Sequence, residues 1–234
     1  MTGSQAIAID GPVASGKTAV GGLVAKLLGC GFLDTGLMYR AVTQVALERK
    51  IDLHDAHALT SLAESLLMEV SAARGADGLV VEGKEVAESL RDGPVERGVS
   101  LVASVPGVRR ALVQRQRDIA ASGPIIMMGR DIGTVVLTDA AAKVYLTASV
   151  TERARRRHLE FSERGKGIGY EQVLQELQRR DSIDSERDDS PLRPAYDAVV
   201  IETDGRPIED LAKEIVALVL DGLVRRSVED RHAR

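Results

Sequence analysis

GPVASGKT at Gly11–Thr18 combines two glycines, a lysine and a threonine at the spacing G-x-x-x-x-G-K-T, a set that can grip a polyphosphate. Gly11 and Gly16 can take backbone angles closed to other residues, so a tight loop can aim its N–H groups inward. Lys17 can reach β- and γ-phosphates, and the Thr18 hydroxyl is placed for Mg2+. The apolar run Ala6–Ile9 precedes this loop and a helix-compatible stretch, Ala19 to Leu28, follows. The positive end of that helix then joins the same anion site. An ordinary glycine turn with a chance lysine would lack this strand–loop–helix frame. The spacing predicts a site for a nucleoside triphosphate.

A second set of cations fits the same chemistry. Arg40, Arg130, Arg153, Arg156 and Arg157 can hold two phosphate groups at once around one such loop. Phosphoryl transfer needs an aligned acceptor and neutralised charge more than covalent help. The arginines therefore favour a small phosphorylated acceptor over water or a protein hydroxyl. Arg130 and Asp131 lie between glycines in GRDIGT, after the apolar run Ile125–Met128. An arginine–aspartate pair at a strand's carboxyl end reads as a ligand contact rather than a buried structural ion pair.

These residues need elements to carry them. Gly31–Asp34 reads as a strand that runs through a loop into a helix, Ala41 to Glu48, and such alternation implies a parallel sheet with crossover helices. Ligands sit beyond the carboxyl ends of such strands, which places Asp34, Thr35, Tyr39 and Arg40 near the phosphates. Arg49–Asp52 superficially resembles a guanine-reading pattern but comes too early and lacks its first residue; it reads as a solvated helix end. Residues 59 to 106 look like an insertion: a helix over Leu59 to Met68, a Gly75–Gly78 turn, a hairpin through Leu79–Val86, and a helix carrying Val99–Val102 towards Pro106. Val108 to Ala121 reads as a charged helix with Arg110 and Arg117 in solvent. Lys143–Thr147 and Val199–Thr203 read as strands, and Ile208 to Val224 as an amphipathic helix before a frayed end, Ser227 to Arg234. Between them, Glu152–His158 and Tyr170–Ser185 make an arginine-bearing helical hairpin about a Gly165–Gly169 hinge, a lid in the making. Arg155 and Arg179 read as solvated bystanders.

Composition narrows the setting. The 234 residues, 44% hydrophobic and 28% charged, suit one globular domain with insertions, and the net charge of −4 gives no basic field for nucleic acid or anionic lipid. A single cysteine, Cys30, excludes an internal disulfide and suits a reducing cytosol, where it serves as a small apolar residue. No apolar run approaches a membrane span, and the start MTGSQAIAID has no signal-peptide pattern. The four histidines are scattered and no metal-ligand cluster stands out. The expectation is a monomeric cytoplasmic protein with no nucleic-acid or membrane partner.

IAIDGPVASGKT, FLDTGLMYRAV, GRDIGTVV, ERARRRHLEF and RRDSIDSER, with LVVEGKEVAESLR and VSLVASVPGVRRALVQRQR, together resemble the bacterial cytidylate kinases of the nucleoside monophosphate kinase group. The likeness covers nearly the whole chain. It implies an α/β fold, a P-loop NTPase core with a parallel sheet flanked by helices, over residues 1–58, 107–148 and 196–226. It also implies a monophosphate-binding insertion at about 59–106 and a helical lid at about 149–190. ATP, with Mg2+ at Thr18, would be held by Gly11, Pro12, Val13, Ala14, Ser15, Gly16, Lys17, Thr18 and Ala19. Arg40 and Arg130, with Thr35 beside them, would hold the phosphate of CMP or dCMP. Ser100, Arg109, Asp131 and Arg187 would surround the cytosine, and Arg180 with Asp184 the sugar. Lys17, Arg153, Arg156 and Arg157 would act on the transferring group. Cytosine offers an amino donor and two acceptors on its pairing edge, which suits an anion plus guanidinium donors. Two positions depart from the family pattern. Met128 stands where an acid usually precedes the GRD glycine, and Ala19 where Ser or Thr is common. Alternatives are a UMP or AMP kinase, or a nucleotide-binding module that has lost catalysis.

Overall fold

A computed structural model describes residues 5–70, 78–85, 90 and 93–232, with side chains to Gly222. The chain begins with β1 (Ala6–Asp10), α1 (Lys17–Leu28), β2 (Gly31–Asp34), α2 (Thr35–Glu48) and α3 (Ala56–Ser65). Three short strands follow, β3 (Met68–Val70), β4 (Leu79–Val81) and β5 (Lys84–Glu85), then α4 (Gly93–Ala103) and α5 (Pro106–Ala121). β6 (Ile125–Gly129) leads into a π-helical turn, Ile132–Val136, and then β7 (Ala142–Thr147). The helical pair α6 (Val150–Glu163) and α7 (Tyr170–Glu186) precedes β8 (Val199–Glu202) and α8 (Ile208–His232).

β2, β6, β1, β7 and β8 form one sheet in that order, all pairs parallel. Side chains alternate across it. Ala6, Ala8, Leu33, Ile125 and Met127 face the core shared with α2, α3 and α5. Ile7, Ile9, Phe32, Ile126 and Met128 face the layer of α1 and α8. Helices on both faces explain why β1 and β6 are buried throughout and read as unbroken apolar runs. A second, antiparallel sheet of order β3-β4-β5 lies apart from the first.

Three elements differ from their expected bounds. α2 starts six residues before the expected helix because the Asp34 carboxylate accepts from the Gly36 N–H (2.9 Å) and so caps it. α3 starts at Ala56, where Asp55 accepts from the Ala58 N–H (2.9 Å), and ends before Met68, which opens β3. α8 runs helical to His232, through most of the segment expected to fray. Residues 75–77 of the expected turn and Val86 of the expected hairpin lie outside the described residues. Arg117 is exposed, as expected, and also has a structural role: Nε and Nη2 donate to the Val136 (3.0 Å) and Val135 (2.7 Å) carbonyls and so hold the π-helical turn. Among the described residues, Arg155 and Arg179 pair with neighbouring glutamates on their own helices, Glu152 and Glu176.

Candidate active site

β1, β2 and β6 end side by side, and each hands the chain to a loop or helix start at the same edge of the sheet. A cleft of about 350 Å3 opens there. Of the expected site residues it is lined by Val13 to Ala19, Thr35, Arg40, Ser100, Arg109, Arg130, Asp131, Arg156, Arg157, Arg180, Asp184 and Arg187. Gly11, Pro12 and Arg153 lie behind that surface.

The loop after β1 has the backbone its sequence demands. Gly11 sits at φ 149°, and a Cβ there would meet the Leu146 carbonyl oxygen at 2.1 Å, so no side chain fits. Gly16, at φ 93°, begins α1 with no side-chain cap, leaving the first N–H groups of the helix to a ligand. Lys17 is folded back on the loop, Nζ donating to the Gly11 (2.8 Å) and Pro12 (2.6 Å) carbonyls. Burial, together with the Arg130 charge, pushes its pKa well below the ordinary lysine value. An incoming phosphate anion reverses that bias.

Beneath the loop, the Asp10 carboxylate accepts from the Ile132 and Gly133 N–H groups, each at 2.8 Å. It is 3% exposed, and burial pushes its pKa up to about 6 against those two hydrogen bonds. Asp10 thus pins the turn that carries Arg130 and Asp131. Arg130 donates from Nε to Asp184 Oδ2 (2.8 Å) and from Nη1 to the Gly11 carbonyl (3.1 Å). The Thr35 hydroxyl donates to the Met128 carbonyl (2.8 Å), tying the start of α2 to the end of β6.

On the side of the cleft away from the loop, Arg109 Nη2 pairs with Asp131 Oδ2 in a buried contact, and Arg187 Nη2 stands 3.9 Å from Asp131 Oδ1. Arg109 also lies over the Tyr39 ring at 5.5 Å. Arg109 Nε, Arg180 Nε and Arg187 Nη2 are buried without a hydrogen-bond acceptor in the protein. Buried guanidinium N–H groups without acceptors are costly. Those of Arg109 and Arg187 make this end of the cleft a donor-rich surface around Asp131, while Arg180 stands beside Glu96.

The arginines of α6 divide into different jobs. Arg153 is 5% exposed; Nη1 and Nη2 bind the Asp181 carboxylate (3.1 and 2.6 Å), and Nη1 also reaches the Val13 carbonyl (3.2 Å). It braces the phosphate loop from behind. Arg156 donates to the Thr203 hydroxyl (3.0 Å) and carbonyl (2.7 Å), and Thr203 in turn donates to the Ser15 carbonyl (3.2 Å). Arg157 pairs with Glu160 (2.6 Å) and Glu96 (3.2 Å), its guanidinium 4.5 Å from the Phe161 ring centre.

Glu96 is the residue that sequence reasoning missed most completely. Its Oε1 accepts from Arg40 Nε (3.1 Å) and its Oε2 from Arg180 Nη1 (2.9 Å), in addition to Arg157. Burial pushes its carboxyl up, but the three arginines together hold it down to about 2. In VERGVS nothing marks this glutamate from any other acid in the first turn of a helix. Asp10 did carry a signal, since it ends the strand that runs into the phosphate loop.

The sequence matches the cytidylate kinase family over residues 7–221. The chain belongs to that family. Curated relatives agree with the match, each of them named cytidylate kinase. One from Geobacillus sp. (strain WCH70) is 45% identical over 91% of this chain and 95% of its own. Another, from Desulforamulus reducens, is 44% identical over 95% of this chain and the whole of its own, and one from Herpetosiphon aurantiacus is 46% identical over 94% and 96%. No helix among the described residues is long and apolar enough to cross a membrane.

Proposed function

We propose that this chain transfers the γ-phosphoryl group of ATP to the phosphate of CMP or dCMP, giving ADP and the diphosphate. One observation carries the reading: the phosphate loop and the Asp131–Arg109–Arg187 cluster line a single cleft, with Arg40, Arg130 and Arg157 between them. Triphosphate binds at Gly11–Thr18, and its charge draws Lys17 off the loop carbonyls. Asp131 accepts from the cytosine amine while Arg109 and Arg187 donate to its ring acceptors. Arg180 and Asp184 face the sugar, and Arg40, Arg130 and Thr35 the acceptor's phosphate. An oxygen of that phosphate attacks the γ-phosphorus as the bond to the β,γ-bridging oxygen breaks and ADP leaves. The acceptor is already an anion, so alignment and charge neutralisation by Arg156 and Arg157 suffice without a general base.

Mg2+ is expected with the ATP. Thr18 and Asp34 line the cleft as oxygen donors, and no group of three metal-binding side chains occurs among the described residues. That sparse set suits a cation held mainly by nucleotide phosphates. When bound it would neutralise charge on the β- and γ-phosphates. A cytoplasmic setting suits a chain with one unpaired cysteine.

An ADP-release assay across CMP, dCMP, UMP and AMP tests the reading. CMP and dCMP should give the highest kcat/KM. Equal or better use of UMP or AMP overturns the acceptor assignment, and tight binding of ATP and CMP without turnover identifies a nucleotide-binding module instead.

A further inference from the structure

Glu96 takes no part in the phosphoryl-transfer chemistry, yet its one carboxylate gathers guanidiniums from three elements: Arg40 on α2, Arg157 on α6 and Arg180 on α7. Two of those elements form the lid, and the third carries an arginine assigned above to the acceptor's phosphate. With Glu160 also on Arg157, two carboxylates face the three guanidiniums, which leaves one positive charge in excess while Glu96 is in place and two once it turns away. A phosphate monoester near neutral pH carries about −1.5 to −2, so the same three arginines fit it better than they fit a glutamate. Arg40, Glu96 and Arg157 keep 14–16% of their side-chain surface exposed, and Arg40, Arg157 and Arg180 all line the cleft. The cluster can therefore be reached by a ligand.

We propose that Glu96 is a built-in occupant of the acceptor-phosphate position, holding Arg40, Arg157 and Arg180 in the free enzyme until the phosphate of the incoming nucleotide displaces it, Arg180 then bridging that phosphate and the sugar assigned to it above. The inference rests on the reading of the cleft as a nucleoside monophosphate site. A displaced carboxylate has somewhere to go. A second cavity, of about 680 Å3, lies on the other side of the cluster. Glu96, Arg157 and Arg180 form part of both walls, and the second wall also carries Arg97, Lys166 and the Arg179–Glu176 pair. Glu96 turns from one cationic surround into another. While it is in place it also joins both lid helices to α4, so its release frees the lid as the acceptor arrives.

The consequence is a selective penalty on binding the phosphate. A ligand that needs the open state sees its dissociation constant divided by the open fraction; if about one free molecule in ten is open, CMP binds about tenfold more weakly than it otherwise would. Cytidine, with no phosphate, carries no such penalty. A purely structural glutamate behaves in the opposite way: without it the arginines repel, spread apart and bind CMP worse.

Calorimetric titration of CMP and of cytidine into the wild type, Glu96→Gln and Glu96→Ala separates these cases, with melting curves in inorganic sulfate as a second probe. The expected result is CMP bound about tenfold tighter by both variants, cytidine unchanged, KM for CMP lowered at unchanged kcat, and a larger sulfate-induced rise in Tm than in wild type. Should Glu96→Ala fail to fold, Glu96→Gln and its sulfate shift decide. CMP bound equally or more weakly by the folded variants, or an equal gain for cytidine, overturns the inference alone. Failure of the wild type to bind CMP overturns the functional reading and the inference with it.

Discussion

Asp131 and Glu96 are both carboxylates set among arginines of the same cleft, and they are held in opposite ways. Asp131 is fixed from behind: its backbone belongs to the turn pinned by Asp10, and its side chain is 6% exposed between Arg109 and Arg187. Glu96 rises from the first turn of α4, 15% exposed, and reaches arginines on three other helices, α2, α6 and α7. Around Asp131, donor atoms of both Arg109 and Arg187 are buried without acceptors; around Glu96, each arginine gives it a direct ion pair and only Arg180 Nε among them is buried without an acceptor. A pinned carboxylate beside unsatisfied donors is built to be completed by a ligand. A free-standing one that satisfies its donors is built to be replaced.

The largest expected effect is at Arg157, where the phosphate side meets the lid. Arg157→Ala should lower kcat by about 10²–10³-fold, the scale for losing one preorganised donor to transition-state charge, and lysine should rescue poorly because the planar fork is lost. Steady-state kinetics at saturating ATP and CMP read it. Arg153→Ala is its contrast. That side chain is engaged with Asp181 and Val13 rather than the cleft, so its loss should appear as a lowered Tm alongside any fall in kcat. An Arg157→Ala variant with kcat intact and only ATP binding weakened would make it a ground-state contact.

Asp10 is a third carboxylate, buried without an arginine partner, and it shows what the arginines do for Glu96. With its pKa raised from 3.8 to about 6, Asp10 is more readily protonated in the folded chain than in the unfolded one. Its contribution to stability is complete below pH 3.8 and lost as pH rises through 6. Glu96, held from 4.5 down to about 2, contributes stability above pH 4.5 that disappears as pH falls towards 2. Measured by denaturation, the wild type should lose up to about 3 kcal/mol relative to Asp10→Asn between pH 4 and 7. A flat difference over that range removes the contrast between the two acids.

A smaller effect is expected at Met128. Its side chain packs with Ile9, Val20 and Phe32 under α1 while also touching the cleft. Met128→Asp should lower the Mg2+ concentration needed for half-maximal rate, because an oxygen donor replaces a thioether that suits a hard cation poorly. It should also cost about 1–3 kcal/mol of stability by putting a polar group into an apolar layer. Magnesium titrations and melting curves read the two separately. Overlaid magnesium curves for a folded variant would show that Asp34 or another group already supplies what the acid would.

What the sequence made legible follows from how each part is built. Gly11–Thr18 works through its backbone, and glycine spacing advertises backbone shape, so the loop could be read directly. Apolar runs on both sides of β1 and β6 announced a sheet covered on two faces. Arg40, Asp131 and Arg180 were found through strand ends and family motifs. Glu96 could not be found that way, because its role depends on α2, α4, α6 and α7 converging, and no local spacing records that convergence. The same applies to Arg117, whose carbonyl partners lie eighteen and nineteen residues away, and to Arg153, whose neighbours are set by the packing of α6 on α7.

The ratio of kcat/KM for CMP over UMP, measured for the wild type, Asp131→Ala and Glu96→Gln, tests the division of labour most directly. Uracil puts an oxygen where cytosine has its amine, and a carboxylate facing it is left unpaired, a loss of about 1–3 kcal/mol. The ratio should therefore fall by about tenfold or more in Asp131→Ala and stay at the wild-type value in Glu96→Gln, where both acceptors gain alike through their common phosphate. An unchanged ratio in folded Asp131→Ala, or a shifted one in Glu96→Gln, contradicts the account.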